Sequence, residues 1–312
     1  LESAPGFADA YNFYPTDGMT LFQKRGNEYA QVIGAWDVTA TPGVTAREGM
    51  DRLVPVTNWR GYCSKHNFAA AATNGGENAV AGYLFEKMNA SEKEGVNDKG
   101  NNGVKAYKSY FMLGDYMIAL GAGITNLNPQ MEGTIRTTID QTLHESDVLA
   151  MQDGRQIPVG KGVWSFFVGG KPVWVMQKGK FSYTILPEYT RNASFVYETK
   201  KTDWVGRNGA NKGKKDLPGQ VDILRLWIDH SRTPVDDTYG YVVYAGDEMP
   251  ADKLPFQVLR NDTLVQAVEN NNGEVVEAVF YKEGTRLKAS RGELSVSAPC
   301  AVLIDKDKLS VT

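Results

Sequence analysis

A chain of 312 residues is long enough to bury a sizeable core, as one large domain or two smaller ones. Its 34 Lys and Arg against 37 Asp and Glu leave a formal charge of −3 with the signs interspersed, which argues against a nucleic-acid-coating surface. No apolar run approaches the roughly 20 residues of a membrane span. Six Trp, 15 Tyr, 12 Phe and 32 Gly favour an all-β protein with many turns.

In residues 1–50, Thr16-Asp17-Gly18 and Arg25-Gly26-Asn27 punctuate short predicted strands and Thr41-Pro42-Gly43 ends the next. The run Asn67-Phe68-Ala69-Ala70-Ala71-Ala72 is read as a small-residue strand packed beneath another layer, because it is short and a Gly-rich stretch follows. Asn97 to Gly103 is a polar loop. Val104 to Thr125 predicts a long hairpin turning at Gly114-Asp115, where glycine permits the positive φ that a two-residue turn needs. Both faces of this hairpin carry bulky apolar groups, so it is expected between layers, with Tyr110, Met112, Ile118 and Leu120 largely buried.

Ile135 to Leu143 alternates with period two and is rich in β-branched residues. Val163 to Val168 and Pro172 to Met176 flank Gly169-Gly170 as a second hairpin candidate, and Phe181 to Leu186 follows. Residues 198–219, charged and Gly-rich around Trp204, read as a long exposed loop. Val221 to His230 and Tyr239 to Ala245 are strong strand candidates. The texture changes over Gly246 to Pro255, which divides the chain into 1–250 and 251–312. The second part is short strands with turns at Asn271-Asn272-Gly273, Glu283-Gly284 and Arg291-Gly292. The expected architecture is therefore all-β, with no helix of three turns and no fixed-period repeat.

The chemistry carried by short motifs is sparse. There is no HExxH, GxSxG or phosphate-binding glycine loop, and Asn97 to Asn102 lacks the calcium-loop pattern, so neither metal nor cofactor is expected. Cys63 and Cys300 lie far apart without metal or redox spacing; they are read as free and buried, the alternative being that they join distant parts of the chain. The histidines are His66, His144 and His230, each more often structural than catalytic when alone. His66 is the exception, because Trp59, Arg60, Lys65 and Asn67 lie beside it in sequence. A cation for a carboxylate, an amide for hydroxyls and an indole face for a ring suit an acidic sugar. Trp36 and Asp37 near a turn add a tryptophan flanked by a carboxylate. The substrate-binding candidates are thus Trp36, Asp37, Trp59, Arg60, His66 and Asn67, with an ordinary strand end and a turn cap as the competing readings.

Several longer segments follow one another along nearly the whole chain. They are Tyr14-Pro15-Thr16-Asp17-Gly18-Met19, Trp36-Asp37 with Pro42-Gly43-Val44-Thr45, and Asn67 to Ala72 with Asn74-Gly75. Then come Lys108-Ser109-Tyr110-Phe111 with Leu120-Gly121-Ala122-Gly123-Ile124, Thr137-Thr138-Ile139-Asp140-Gln141, and Ile228-Asp229-His230 with Tyr239-Gly240-Tyr241-Val242. In this order they resemble the β-rich C-terminal half of the family-8 polysaccharide lyases, which include hyaluronate, chondroitin and xanthan lyases. The resemblance implies a large antiparallel supersandwich followed by a small β-sandwich-like domain. It also implies a secreted, periplasmic or cell-surface protein acting on an acidic, uronic-acid-containing polysaccharide by β-elimination. The catalytic tyrosine and histidine of the family lie in an N-terminal α-helical toroid, the expected missing partner of this chain, which starts at Leu1 like a processed or excised piece. Where the family has a Glu-Asn pair ahead of the Asp-Gly-Met segment, this sequence has Ala8-Asp9-Ala10-Tyr11-Asn12, so no catalytic residue is carried over. The alternatives are a non-catalytic carbohydrate-binding or scaffold module of the same fold, and a hydrolase or epimerase on the same sheet architecture.

Overall fold

The computed structural model describes residues 17–49, 64, 66–87, 103–162, 165–207, 209–246 and 253–312. Two strands precede the long ones: β1 (Thr45–Arg47) and β2 (Ala69–Thr73). Next come β3 (Asn78–Lys87), β4 (Val104–Leu113), β5 (Tyr116–Asn126) and β6 (Ile135–Leu143). Shorter strands follow as β7 (Val148–Gln152), β8 (Arg155–Ile157), β9 (Ser165–Phe166), β10 (Val173–Gln177) and β11 (Ser182–Ile185). β12 (Ala193–Lys201), β13 (Gln220–Asp229) and β14 (Asp237–Tyr244) close the larger part of the molecule. The rest is β15 (Phe256–Asn261), β16 (Val265–Asn270), β17 (Val275–Phe280), β18 (Arg286–Ala289), β19 (Gly292–Ser295), β20 (Cys300–Asp305) and β21 (Lys308–Val311).

Among the described residues these strands form three stacked antiparallel sheets and a ribbon. A front sheet runs β1-β6-β13-β12-β9, a central sheet β2-β3-β4-β5-β14-β11-β10-β7-β8, and a rear sheet β15-β16-β17-β20-β21, with β18-β19 as a separate pair. The alternation of side chains along each strand explains the stacking. On β4 and β5, Ala106, Ala119 and Ile124 face the front sheet and meet Ile139, Leu224, Leu226 and Ile228. Their neighbours Phe111, Ile118 and Leu120 face the rear sheet and meet Val268, Val275, Val279 and Leu303. The hairpin is therefore buried on both faces, as its sequence implies. The far face of the rear sheet packs Ala267, Ala278, Phe280 and Val302 under Leu287 of the ribbon. Close approach is built in with glycine: a Cβ on Gly82 of β3 would lie 2.7 Å from both methyls of Val279.

Ile118 is fully buried between the central and rear sheets. Ile118→Ala is expected to destabilise the protein by about 2–5 kcal/mol in chemical denaturation, the range for truncation in a packed core. A loss below about half a kcal/mol, the size of an ordinary surface substitution, would mean that the two sheets do not pack here.

Polar groups are also buried between the front and central sheets. The Lys108 ammonium is completely buried and donates to the main-chain oxygens of Asp17 and Gly43, which ties the N-terminal segment to β4. Burial pulls its pKa down to about 7, against the charge of Asp17. Asp140 is equally buried and accepts from the Tyr29 and Tyr183 hydroxyls and the Gln141 amide. Burial pushes its carboxyl up to about 7 despite these donors. Arg47 has a completely buried guanidinium that donates to Asn126 Oδ1 and to the carbonyls of Asn128, Met131 and Gly133, fixing the connection from β5 to β6.

Several sequence expectations are corrected. Residues 17–44 form no strand; the chain makes two 3-10 turns there, Ile33–Ala35 and Val38–Ala40. The Gly169-Gly170 hairpin does not form, because Ser165–Phe166 pairs with β12 in the front sheet while Val173–Gln177 pairs with β7 and β11 in the central one. Met112 is 48% exposed, since it lies at the hairpin tip two residues beyond Tyr110. The alanine segment is a strand, but it is the edge of the central sheet and only Ala72 is buried. The exposed loop begins at Thr202, because β12 extends to Lys201. Cys300 is free and buried as expected, whereas Cys63 and the polar loop at 97–102 lie outside the described residues.

Candidate functional site

The period-two pattern of β13 sends Leu224, Leu226 and Ile228 into the core and leaves Arg225, Trp227 and Asp229 on the outer face of the front sheet. On β6 a bulge opposite Leu226 and Trp227 lets both Ile139 and Asp140 point inward. Arg136 lies beside Trp227 on the outer side. The indole of Trp227 is bracketed by two guanidiniums, Arg136 at 5.4 Å and Arg225 at 5.2 Å from the ring centre. Each arginine is held in turn: Arg136 by Glu48 at 2.6 Å and Asp229 at 3.2 Å, Arg225 by Asp37 at 3.4 Å and Glu198 at 3.8 Å. Paired in this way, the guanidiniums are oriented and partly neutralised.

Beyond Arg136 the surface opens into a concave site of about 440 Å³ lined by Arg136, Arg191, Asn192, Ser194, Trp227 and His230, among others. Arg191 and Asn192 come from the 3-10 turn Pro187–Asn192 that carries the chain from the central to the front sheet. Arg191 is exposed, lies along Gly169 at the border of the opening and has no ion pair among the described residues. His230 forms the inner wall. Its Nδ1 lies 2.8 Å from Asp237 and its Nε2 2.9 Å from the Thr137 hydroxyl. A carboxylate only accepts, so Nδ1 carries a proton. Burial pulls the Asp237 carboxyl upward, but the His230 contact and the Thr238 amide together hold the group below the usual carboxylate range. With both ring nitrogens engaged and its side chain fully buried, His230 positions the strand ends rather than offering a base.

The sequence-predicted residues occupy two different places. Trp36 and Asp37 sit on the front sheet: the Trp36 indole donates to the Gln141 carbonyl at 3.1 Å, and the Gln141 side chain receives from and donates to the Asp37 main chain. Asp37 also caps the turn Val38–Ala40 and holds Arg225. His66 and Asn67 precede β2 at the edge of the central sheet, where His66 meets Glu86 at 3.0 Å. No contact among the described residues joins the two pairs. Trp59 and Arg60 lie outside the described residues. Arg136, Arg225 and Trp227 are members of the site that motif reading passed over, although the alternation of β13 already set Arg225 and Trp227 on one polar-side face. Arg191 carries no such signal, because it stands in a turn.

Among the described residues, no cluster of three His, Cys, Asp or Glu could hold a metal ion, and no helix is long and apolar enough to cross a membrane. What the arrangement can do is engage an anionic, hydroxyl-rich ligand: a free guanidinium, an amide, a hydroxyl and an indole edge border one opening.

The sequence profile of the polysaccharide lyase family 8 super-sandwich domain matches residues 8–251, and that of the family 8 C-terminal β-sandwich domain matches residues 257–312. The chain is 28% identical to chondroitinase-AC of Pedobacter heparinus over 93% of its own length and 38% of that protein's. It is 29% identical to a hyaluronate lyase of Thermasporomyces composti over 75% of its length and 28% of that protein's. A solved chondroitinase AC lyase, studied with oligosaccharides, superposes with a TM-score of 0.80 at 25% identity, covering 99% of this chain and 42% of that one. A Paenibacillus xanthan lyase shares the fold with a TM-score of 0.76 at 18% identity, covering 97% of this chain and 28% of that one. The chain thus spans well under half the length of the relatives it matches, while within that span both β domains are present in order. It belongs to polysaccharide lyase family 8.

Proposed function

We propose that this chain is the β-domain portion of a secreted, periplasmic or cell-surface lyase that cleaves uronic-acid-containing polysaccharide by β-elimination. In that reaction a base removes the C5 proton of the uronate and the electron pair forms the C4–C5 double bond. The C4–oxygen bond breaks, and an acid protonates the departing oxygen. The C5 proton is acidic enough to remove only when the neighbouring carboxylate is neutralised, which calls for fixed cations and amides. The chain supplies such groups on the front sheet, and its N-terminal helical partner in the parent protein supplies the acid and base. Residues 1–250 form the sandwich and 251–312 the smaller C-terminal domain in this reading. The observation that carries it is the match of both family 8 β domains, in order, to residues 8–251 and 257–312. The Arg191–Asn192 opening beside the Arg136–Trp227–Arg225 stack is the place where an acidic sugar fits.

The test is turnover by the full-length protein, followed through the ultraviolet absorbance of the unsaturated uronate product. Arg191→Gln is expected to raise KM for the acidic polymer about tenfold or more, the size of one lost charge-assisted hydrogen bond, with kcat little changed. An unaltered KM would remove this opening from the substrate path.

A further inference from the structure

The rear sheet is narrower than the central sheet that it covers. Its apolar contacts take in Ala72 of β2, Val80 of β3, Phe111 of β4, Ile118 of β5 and Val242 of β14, and end at Leu186. The central sheet continues past that limit through β11, β10, β7 and β8. One cross-strand row runs out from under the rear sheet in register: Val242, Thr184, Trp174, Met151. Thr184 is still buried, while Trp174 and Met151 are half-exposed. With Leu254 and Phe256 at the start of the rear sheet, they line a groove of about 850 Å³.

We propose that this groove, on the rear face of the central sheet, is a second glycan-binding site, for an acidic oligosaccharide, distinct from the Arg191 opening. The site rests on the reading of the parent protein as acting on uronic-acid polymers. Its floor is a partly exposed indole, the side-chain surface on which the C–H face of a sugar ring lies. Its rims are polar rather than apolar: Gln257 and Asn271 donate through their amide nitrogens to Glu269 and to the Leu254 carbonyl and keep their amide oxygens as acceptors, and Lys171 and Lys253 offer ammoniums. Lys171 is paired with Asp153, whereas Lys253 is exposed and has no ion pair among the described residues. The groove therefore carries one positive charge in excess, on the rim where a uronate carboxylate would sit. Pro187 in the wall of the groove and Arg191 in the opening belong to the same 3-10 turn, so the two sites approach each other round one edge of the stacked sheets. A polymer held at the groove stays near the opening at high effective concentration, which raises capture of long substrates over short ones.

The test measures binding of a chondroitin hexasaccharide, and of its carboxyl-reduced neutral counterpart, to the full 312-residue chain by calorimetry. Trp174→Ala and Lys253→Glu are each expected to weaken hexasaccharide binding about thirtyfold without lowering the melting midpoint, a hot-spot-sized loss, while Arg191→Gln leaves this component in place. The neutral counterpart should bind wild type as weakly as the hexasaccharide binds Lys253→Glu. Wild-type affinity in both groove variants overturns the proposal, as does equal affinity for the neutral sugar. Loss of binding only in Arg191→Gln also overturns it, and leaves the proposed function standing. If the full-length protein does not eliminate uronic-acid polymers at all, the reading of function falls instead, and that result comes from the turnover assay alone.

Discussion

Glu277→Gln is expected to stabilise the protein at pH 8 and to leave its stability nearly unchanged at pH 4. On β17, Val275 and Val279 face the central sheet, and the alternation places Glu277 between them in an otherwise apolar interface. Its side chain is completely buried, and the main-chain groups of Ala79 and Met112 approach its carboxylate without reaching full hydrogen-bond geometry. Burial pushes its pKa up from 4.5 to about 9, opposed by the backbone of Ala79 and Met112. Between those two values the unfolded chain has released the proton while the folded protein still holds it. Stability is therefore fully present below about pH 4.5 and declines as pH rises to about 9, by about 1.4 kcal/mol per pH unit. Glutamine has the same shape and no proton to lose, so the gap between variant and wild type should widen with pH to several kcal/mol. Denaturant titrations of both proteins at a series of pH values measure it directly. Lys108 and Asp140 titrate identically in the two proteins and cancel in the difference. Parallel stability curves would show that Glu277 is hydrated or paired.

The long elements were legible because local and global signals agree in them. Gly114-Asp115 between two apolar runs has one good solution, and Gly114 duly takes φ +56°. β13 reads as a strand from its alternation alone. The Gly169-Gly170 error has the opposite origin. The dipeptide does turn, with Gly170 at φ +84°, but Gln152 takes the main chain of Val168 with both ends of its amide, and the strand before the turn leaves for the front sheet. Nothing within residues 163–176 encodes that choice. The opposite oversight is Asp153-Gly154, a two-residue turn with both φ angles positive that joins β7 to β8. This pair is a strong hairpin signal that motif reading passed over. The site divides in the same way: Arg225 and Trp227 follow from strand periodicity, while Arg191 and the groove under Trp174 exist only because distant elements meet.

The 312 residues by themselves are expected to show no measurable turnover of hyaluronan, chondroitin or alginate, while the full-length protein turns over its polymer. β-Elimination needs a base at the C5 proton, a group that neutralises the carboxylate and an acid at the leaving oxygen, held in one geometry. In the proposed reading, Arg191 in the turn that leads into the front sheet offers the second of these. For the first and third, the described histidines are poorly placed: His230 is buried with both nitrogens engaged, and His144 is stacked at 4.3 Å on Tyr197, with burial pulling its pKa down. His66 is tied to Glu86 on the central sheet, away from Arg191. A tyrosine base must lose its proton near neutral pH. Tyr83, Tyr183, Tyr239 and Tyr241 are buried where desolvation drives their pKa values well above the ordinary one, so they are the least able to do so. General acid–base groups contribute about 10²–10⁴-fold in rate, and a chain without a usable pair should fall by at least that factor. Growth of unsaturated-uronate absorbance with the chain and the full-length protein side by side decides it. Robust turnover by the chain alone would mean that it contains a complete acid–base set. The search for that set would begin at His66 and its neighbours Trp59 and Arg60, the cluster that the sequence singles out and whose indole and guanidinium suit a uronate.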